Sequence, residues 1–328
     1  VMSSATAEQW NGFYRRILIK DLRCGVSEKT VNNVAKKNGF DKYKVPVFTC
    51  QLAHDSANHE KKMVGPKQIE IKLDGVRVLT VIKDGKVEMF SRNGKQFHNF
   101  GHIIEELEAV LKQKPAPYDL VLDGEVMSAN FQDLMKQVHR KSGGVAKDAV
   151  LHLFDMCPLS EFQKGVWDKP QSFRSQAVKA WVDQHRSILK HVQTLDWEDV
   201  NLDTQEGQDR FVELNKAAVD GGYEGVMIKK RDSQYIPGRT KGHWFKWKRD
   251  PCILDTIMLY AQRGHGRRSS FYSDFTFGIW NENEILPIGK AYSGFTDVEL
   301  QQLDKWVRSN TINRFGPVRE VQKTLVVE

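Results

Sequence analysis

Cysteine is scarce and scattered. Only Cys24, Cys50, Cys157 and Cys252 occur in 328 residues, none of them close to another. That spacing excludes a CxxC zinc site and a dense disulfide framework, and fits a reducing compartment. The ten histidines are equally dispersed, without an HExxH pair. No apolar run approaches the ~20 residues that span a bilayer, so no membrane role is expected. The opening "VMSSATAEQW" lacks the basic-then-apolar pattern of a secretory signal. Its valine ahead of methionine reads as an added junction or as a piece of a longer chain. Internal repeats and low-complexity tracts are absent too.

What is present is an ordinary globular composition, 40% hydrophobic and 28% charged, long enough for two or three domains. Basic residues exceed acidic ones, 49 to 42, giving a net charge of +7 and a pI near 9.0. Such a balance favours a polyanionic partner such as nucleic acid.

Three regimes follow one another. Residues 7–24 carry Trp10, Phe13, Tyr14, Ile17 and Leu18 at helical spacing, with Gly25 as a stop. Ser27 can cap a second helix bearing Val31 and Val34. From Pro46 to about Asp250 strands and helices mix. "VRVLTVIKDGKVEMFSR" reads as a hairpin turning on Asp84-Gly85. "HIIEELEAVLKQ" reads as an amphipathic helix with Ile103, Ile104, Leu107 and Leu111 on one side. "YDLVLDGEVM" and "AVLHLFDM" read as strands, and "FQDLMKQVHRK" as a short helix. Helices are expected near 172–186 and 207–219, then the strands "EGVMIKK" and "HWFKWKR". Beyond Asp250, "CILDTIMLYAQ", "DFTFGIW" and "EILPIGKAY" read as strands. The helix "TDVELQQLDKWVRSN" follows, with Thr296 and Glu299 as its capping box. Several strands and one helix in so short a stretch suit a small barrel of the OB type.

"QIEIKLDGVRVLT" puts Glu70 and Lys72 on one strand face, with Asp74 at a turn made by Gly75. A surface ion pair would be worth little. As a nucleophile, an unperturbed lysine is only ~0.1% neutral near pH 7.5, and nearby cations or desolvation raise that fraction. Cations are available in "WFKWKRD", where Lys246 and Lys248 share a face opposite Phe245 and Trp247. Two lysines on one rigid face can clamp a phosphate. Arg92 in "SRNG", Glu125 in "LDGEV" beside Asp123, Phe154 in "LFDM" and Glu224 in "EGVMIK" could converge on the same place. The segment "RGHGRRSSFYSD" sets Arg263, Arg267 and Arg268 among glycines, as a solvated turn or as a loop gripping DNA phosphates. Lys290 and Arg314 are further candidates for DNA, whereas Phe271 and Tyr272 read as core.

The ordered series KxDGxR, SRNG, DGE, FD, EGVMIK and WxKxK resembles the covalent nucleotidyltransferases: DNA ligases, RNA ligases and mRNA-capping enzymes. "EGVMIKKRDSQYIPGRTKGHWFKWKRD" and "AYSGFTDVELQQLDKWVRSNTINRFGPVREV" look like ATP-dependent DNA ligases of bacteria and bacteriophages. The resemblance implies an α+β nucleotidyltransferase domain over 45–249, ATP-grasp-like, with antiparallel sheets and flanking helices. It implies an OB-fold barrel over 250–328, with Asp250 as hinge. Residues 1–44 resemble the last helices of a preceding DNA-binding domain. It further implies ATP as AMP donor, Mg²⁺, and nicked double-stranded DNA as partner, in a monomeric cytoplasmic enzyme of a bacterial cell or phage-infected host.

By the same resemblance Lys72 attacks the α-phosphate and Asp74 positions it. Glu70 and Ile71 lie near the adenine, Phe154 stacks on it, and Arg77 and Arg92 contact ribose or DNA phosphate. Glu125 binds ribose or a metal, Glu224 supports the metal, and Lys246 and Lys248 hold the α-phosphate. An RNA ligase or capping enzyme would share this lysine chemistry, and a truncated DNA-binding fragment would lack it. Relatives carry more helical residues before such an N-terminal segment, and a basic segment past a strand like "TLVVE". A chain ending at Glu328 is therefore expected to adenylate itself weakly, with less effect on sealing a pre-adenylated nick.

Overall fold

The alternation of "VRVLTVIKDGKVEMFS" becomes a hairpin of Val76–Lys83 and Lys86–Ser91 in a computed structural model that describes residues 4–19, 26–44, 48–129, 148–240, 242–248 and 253–328. Asp84 (φ 49°) and Gly85 (φ 73°) both take positive φ. That is the turn whose twist matches the two strands it joins.

The chain divides into two compact units, Val1–Arg249 and Asp250–Glu328. In the first, the hairpin belongs to a six-stranded sheet. Its order is Gln96–Phe97, Lys86–Ser91, Val76–Lys83, Leu120–Met127, Val150–Pro158, Val192–Thr194. All neighbours are antiparallel except the last pair. The Gly101–Gln113 helix covers it with Ile103, Leu107, Val110 and Leu111. Each such side chain contributes about 1.5–3 kcal/mol when fully buried. Ile104, expected on the same face, is only partly buried.

A five-stranded sheet runs Trp197–Asn201, Pro66–Lys72, Gly225–Lys230, Trp244–Lys248, His54–Asp55. One face is apolar: Ile69, Val226, Ile228 and Phe245 pack with Ala218 of the Gln205–Asp220 helix. The other face carries polar side chains. The Gln171–Gln184 helix is the second expected one.

Ahead of these sheets, Ala7–Leu18 is helical, widening to π-type turns over Trp10–Tyr14. The apolar stripe at helical spacing is open, with Phe13, Ile17 and Leu18 all exposed. Periodicity identified a helix there, but no other element of the described residues covers its apolar side. Ser27 caps Glu28–Lys37 by accepting from the Thr30 amide. Residues 20–25, with Cys24 and Gly25, lie outside the described residues, as do Pro46, the "FQDLMKQVHRK" segment, Cys252 and Asp250. Cys50 and Cys157 are free and buried. No helix among the described residues is long and apolar enough to cross a membrane.

The second unit is an antiparallel sheet ordered Glu284–Ala291, Tyr272–Asn281, Thr256–Arg263, Val318–Val321, Thr311–Phe315, with Val326–Val327 also on Thr256–Arg263. The Asp297–Ser309 helix packs Leu300 and Val307 onto Met258, Phe275 and Val321. Its capping box is formed by Thr296 and Glu299. The hairpin over 311–321 goes beyond the sequence expectation. Its first strand is mostly exposed and its second is half-buried until Val321, so no one-sided alternation marks them. Register shifts at Met258/Tyr260, Gln262/Arg263 and Phe277/Gly278 add curl to the sheet.

Candidate active site

The polar face of the five-stranded sheet is built in rows. Lys72 pairs with Gly225, and Gly225 with Lys248; Glu70 pairs with Met227, and Met227 with Lys246; Gln68 pairs with Lys229, and Lys229 with Trp244. Alternation puts these residues on one side and Ile69, Val226, Ile228 and Phe245 on the other. Above this face opens a pocket of about 740 Å³, lined among others by Lys72, Asp74, Arg77, Arg92, Glu125, Phe154, Glu224, Lys246 and Lys248.

Glu224 is the exception to alternation. It has the parity of Val226 and Ile228, which face the core. Gly225 has φ +138°, and a Cβ there would lie 2.1 Å from the Trp247 carbonyl. Only glycine tolerates both conditions, and the swing of the chain delivers Glu224 to the pocket. Its carboxylate accepts from Lys72 Nζ at Oε2 and pairs with Lys248 Nζ at Oε1. Partial burial opposes ionisation, but hydrogen bonds from Lys248 and Lys72 and their charges outweigh it. They hold the Glu224 carboxyl below its ordinary range. Lys246 Nζ lies 3.6 Å from Asp55 Oδ2.

The glycine after Asp74 has its own reason. A Cβ on Gly75 would sit 2.3 Å from the Val126 carbonyl. The bare turn therefore docks against the neighbouring strand and presents Asp74 to the pocket. The Gly75 amide donates to Glu125 Oε1 at 3.2 Å. Burial pushes the Glu125 carboxyl up to about 7, against the pull of Arg77 and Lys72.

Arg77 forms a bidentate pair with Asp123, Nε to Oδ1 at 3.0 Å and Nη2 to Oδ2 at 2.7 Å. Its guanidinium lies 5.4 Å from the Phe154 ring centre and 5.6 Å from that of Trp244. Arg77 lines the pocket, where it was expected to reach ribose or DNA phosphate, with two of its nitrogens committed to Asp123. Two other expected positions do not line the pocket. Glu70 is buried behind it, where both oxygens accept from Lys229, at 2.8 and 2.7 Å, and Oε1 also from Gln68. Ile71 lies on the opposite face of its strand, paired with Val226. Phe154 and Trp244 meet edge to face, 6.0 Å between centroids, with Lys229 Nζ within 4.8 Å of both.

Sequence reasoning missed Lys229, Trp244 and Arg239, which also line the pocket. Lys229 could have been found: it shares the parity of Met227 rather than that of the core-facing Val226 and Ile228. The DNA candidates lie in the other unit. Arg263 is exposed over the Tyr272 ring, at 5.7 Å, Arg268 pairs with Asp297 at 3.4 Å, and Lys290 with Asp274 at 3.8 Å. Arg314 is exposed, opposite Arg319. Arg308 and Arg319 also approach Tyr272, whose ring is buried as expected. The Arg267 side chain lies outside the described residues.

Residues 49–248, a span that includes every one of these pocket groups but Phe48, match the ATP dependent DNA ligase domain. The chain belongs to the ATP-dependent DNA ligase family. A probable DNA ligase of Koribacter versatilis (strain Ellin345) is 31% identical over 311 residues, covering 86% of this chain and 52% of that protein. A DNA ligase of Thermococcus fumicolans is 27% identical over 323 residues, covering 91% and 55%. A solved structure named Pmar-Lig_PreS3 is 57% identical with a TM-score of 0.77, covering 98% of this chain and 76% of that one. The chain thus spans about half the length of the curated relatives it matches.

Proposed function

We propose that this chain seals nicks in duplex DNA with ATP as AMP donor. The observation that carries the reading is the meeting of Lys72, Glu224, Lys246 and Lys248 on one face of one pocket. Glu224 orients Nζ of Lys72 through its Oε2. The Glu224 carboxylate, ionised between its two ammonium partners, fixes Nζ in place. Nζ gives up a proton to solvent and attacks the α-phosphorus; the N–P bond forms as the bond to pyrophosphate breaks. Lys246 and Lys248 stabilise the charge that gathers on the phosphoryl oxygens. An oxygen of the nick's 5′-phosphate then displaces Lys72, which regains a proton. Attack by the 3′-hydroxyl expels AMP and closes the strand. Splitting one hard transfer into easier ones is the gain of a covalent nucleophile.

Mg²⁺ takes oxygen ligands and is commonly held by one or two carboxylates plus substrate phosphates. Glu224 and Glu125 both line the pocket, and no cluster of three ligating side chains occurs among the described residues. That donor set fits a cation shared with substrate, which would neutralise phosphate charge. The Asp250–Glu328 unit reads as an OB-type domain with Arg263, Arg267, Arg268, Lys290 and Arg314 toward DNA. Residues 1–44 read as the end of a DNA-binding domain, and Asp250 as hinge.

Intact mass after mixing with ATP and Mg²⁺ tests the first step. One AMP adduct is expected, absent from Lys72→Ala. An adduct that survives that substitution refutes the nucleophile. Nicked DNA against nicked RNA then distinguishes the substrate, and GTP in place of ATP distinguishes a capping-type donor.

A further inference from the structure

The first turn of the Gln171–Gln184 helix carries a buried polar cluster that no step of the proposed chemistry uses. Gln171 and Arg174 are fully buried, and Ser175 nearly so. Gln171 Oε1 accepts from Trp244 Nε1 at 2.7 Å and from Arg174 Nη2 at 2.7 Å. Arg174 in turn grips Asp155 with two bonds, Nε to Oδ1 at 2.9 Å and Nη2 to Oδ2 at 3.1 Å.

These partners lie in different sheets. Trp244 belongs to the five-stranded sheet, and Asp155 to the six-stranded one. Asp155 directly follows Phe154, so the cluster ends behind both aromatic residues of the pocket. A second strand of the five-stranded sheet is tied to the same turn, since Gln68 Nε2 donates to Ser175 Oγ at 2.7 Å. A helix needs only apolar side chains to cover a sheet. Satisfied polar groups that bridge two sheets instead fix one geometry, because each buried donor or acceptor penalises any shift that unmakes its bond.

We propose that Gln171 is a positioning residue: with Arg174, one turn on, it pins Trp244 of one sheet to Asp155 of the other and so sets the spacing of the two aromatic walls of the pocket. It rests on the proposed function for the ligand those walls receive. Gln171→Met keeps the volume and removes the acceptor shared by Trp244 and Arg174, together with the Nε2 donor to Ser175 Oγ at 3.1 Å. Gln171→Glu keeps the acceptor and loses only that donor. Val182→Ala, in the apolar core under the same helix, weakens packing without touching the cluster.

Two measurements decide. Single-turnover formation of the AMP adduct gives the maximal adenylation rate and the half-saturating ATP concentration. The near-UV circular dichroism of Trp244, isolated by subtracting Trp244→Phe, reports its fixed setting without any ligand. Gln171→Met is expected to raise the half-saturating ATP concentration about tenfold, with the maximal rate within about twofold, and to flatten the Trp244 band. Gln171→Glu should restore both, though not the full melting temperature, because Ser175 Oγ has lost that donor, and Val182→Ala should lower the melting temperature with both unchanged. An unchanged half-saturating ATP concentration and band in Gln171→Met overturns the proposal, as does an equal change in Val182→Ala. If the unaltered chain forms no adduct, that strikes the proposed function alone. The Trp244 band then decides for or against the strut.

Discussion

Replacing Arg174 by methionine leaves a carboxylate stranded in the interior. Both side chains of the Arg174–Asp155 pair have 0% exposure. Arg174 also donates to the carbonyls of Lys169 and Ser233, each at 2.7 Å, besides Gln171. Methionine fills much of the volume but supplies none of these donors. Removing one member of a buried pair costs about 3–5 kcal/mol, since the remaining charge loses its counter-ion and keeps only the Met156 amide as donor. For a unit the size of Val1–Arg249, that lowers the melting temperature by roughly 6–20 °C. Urea unfolding followed by tryptophan emission measures it, with the midpoint expected to fall and the slope to hold. The double variant Arg174→Met with Asp155→Leu should recover part of the loss, because the stranded charge is gone. Arg174→Lys should be costly as well, since an ammonium cannot make the two-point contact. A loss below about 1 kcal/mol in Arg174→Met would refute the reasoning, as would a double variant less stable than the single one.

Glu125 makes stability depend on pH in a stated direction. Burial raises its carboxyl from 4.5 to about 7, so between those values the folded chain holds a proton that the unfolded chain has released. Stability therefore falls as pH rises through that window, and Glu125→Gln should flatten the fall in urea midpoints taken at about pH 5 and about pH 7.5. Gly225→Ala should cut adduct formation by roughly a hundredfold with Lys72 intact, because moving Glu224 disorients the amine. Single-turnover mass analysis reads it, and near-normal rates would contradict the role given to that glycine. Thr296→Ala removes the cap of the Asp297–Ser309 helix and should cost about 0.5–2 kcal/mol, seen as an earlier transition of its unit.

Much of the pocket was legible because strand geometry is simple. Period-two alternation put Lys72, Lys246 and Lys248 on polar faces, and the pairing register then aligned those faces. Glu224 was legible only through motif order, since parity alone would bury it and a positive φ cannot be read from alternation. Glu70 and Ile71 do not line the pocket, for physical reasons. A longer cation, Lys229, stands between Glu70 and the pocket, and Ile71 has the wrong parity. Gln171 and Arg174 were invisible because helix patterning looks for an apolar stripe, whereas this helix buries polar groups in its first turn. The 311–321 hairpin escaped because its first strand is exposed on both faces and its second reaches the core only at Val321.

The carboxylate of Glu224 serves two ammonium groups at once. Without it, the amines of Lys72 and Lys248 would confront each other with no counter-ion of their own. Small dissolved anions would then gather between them. A chain bearing Glu224→Ala would accordingly look different in phosphate or sulfate buffer than in a buffer of bulky, weakly coordinating ions, and the apparent severity of that lesion would depend on what it was dissolved in.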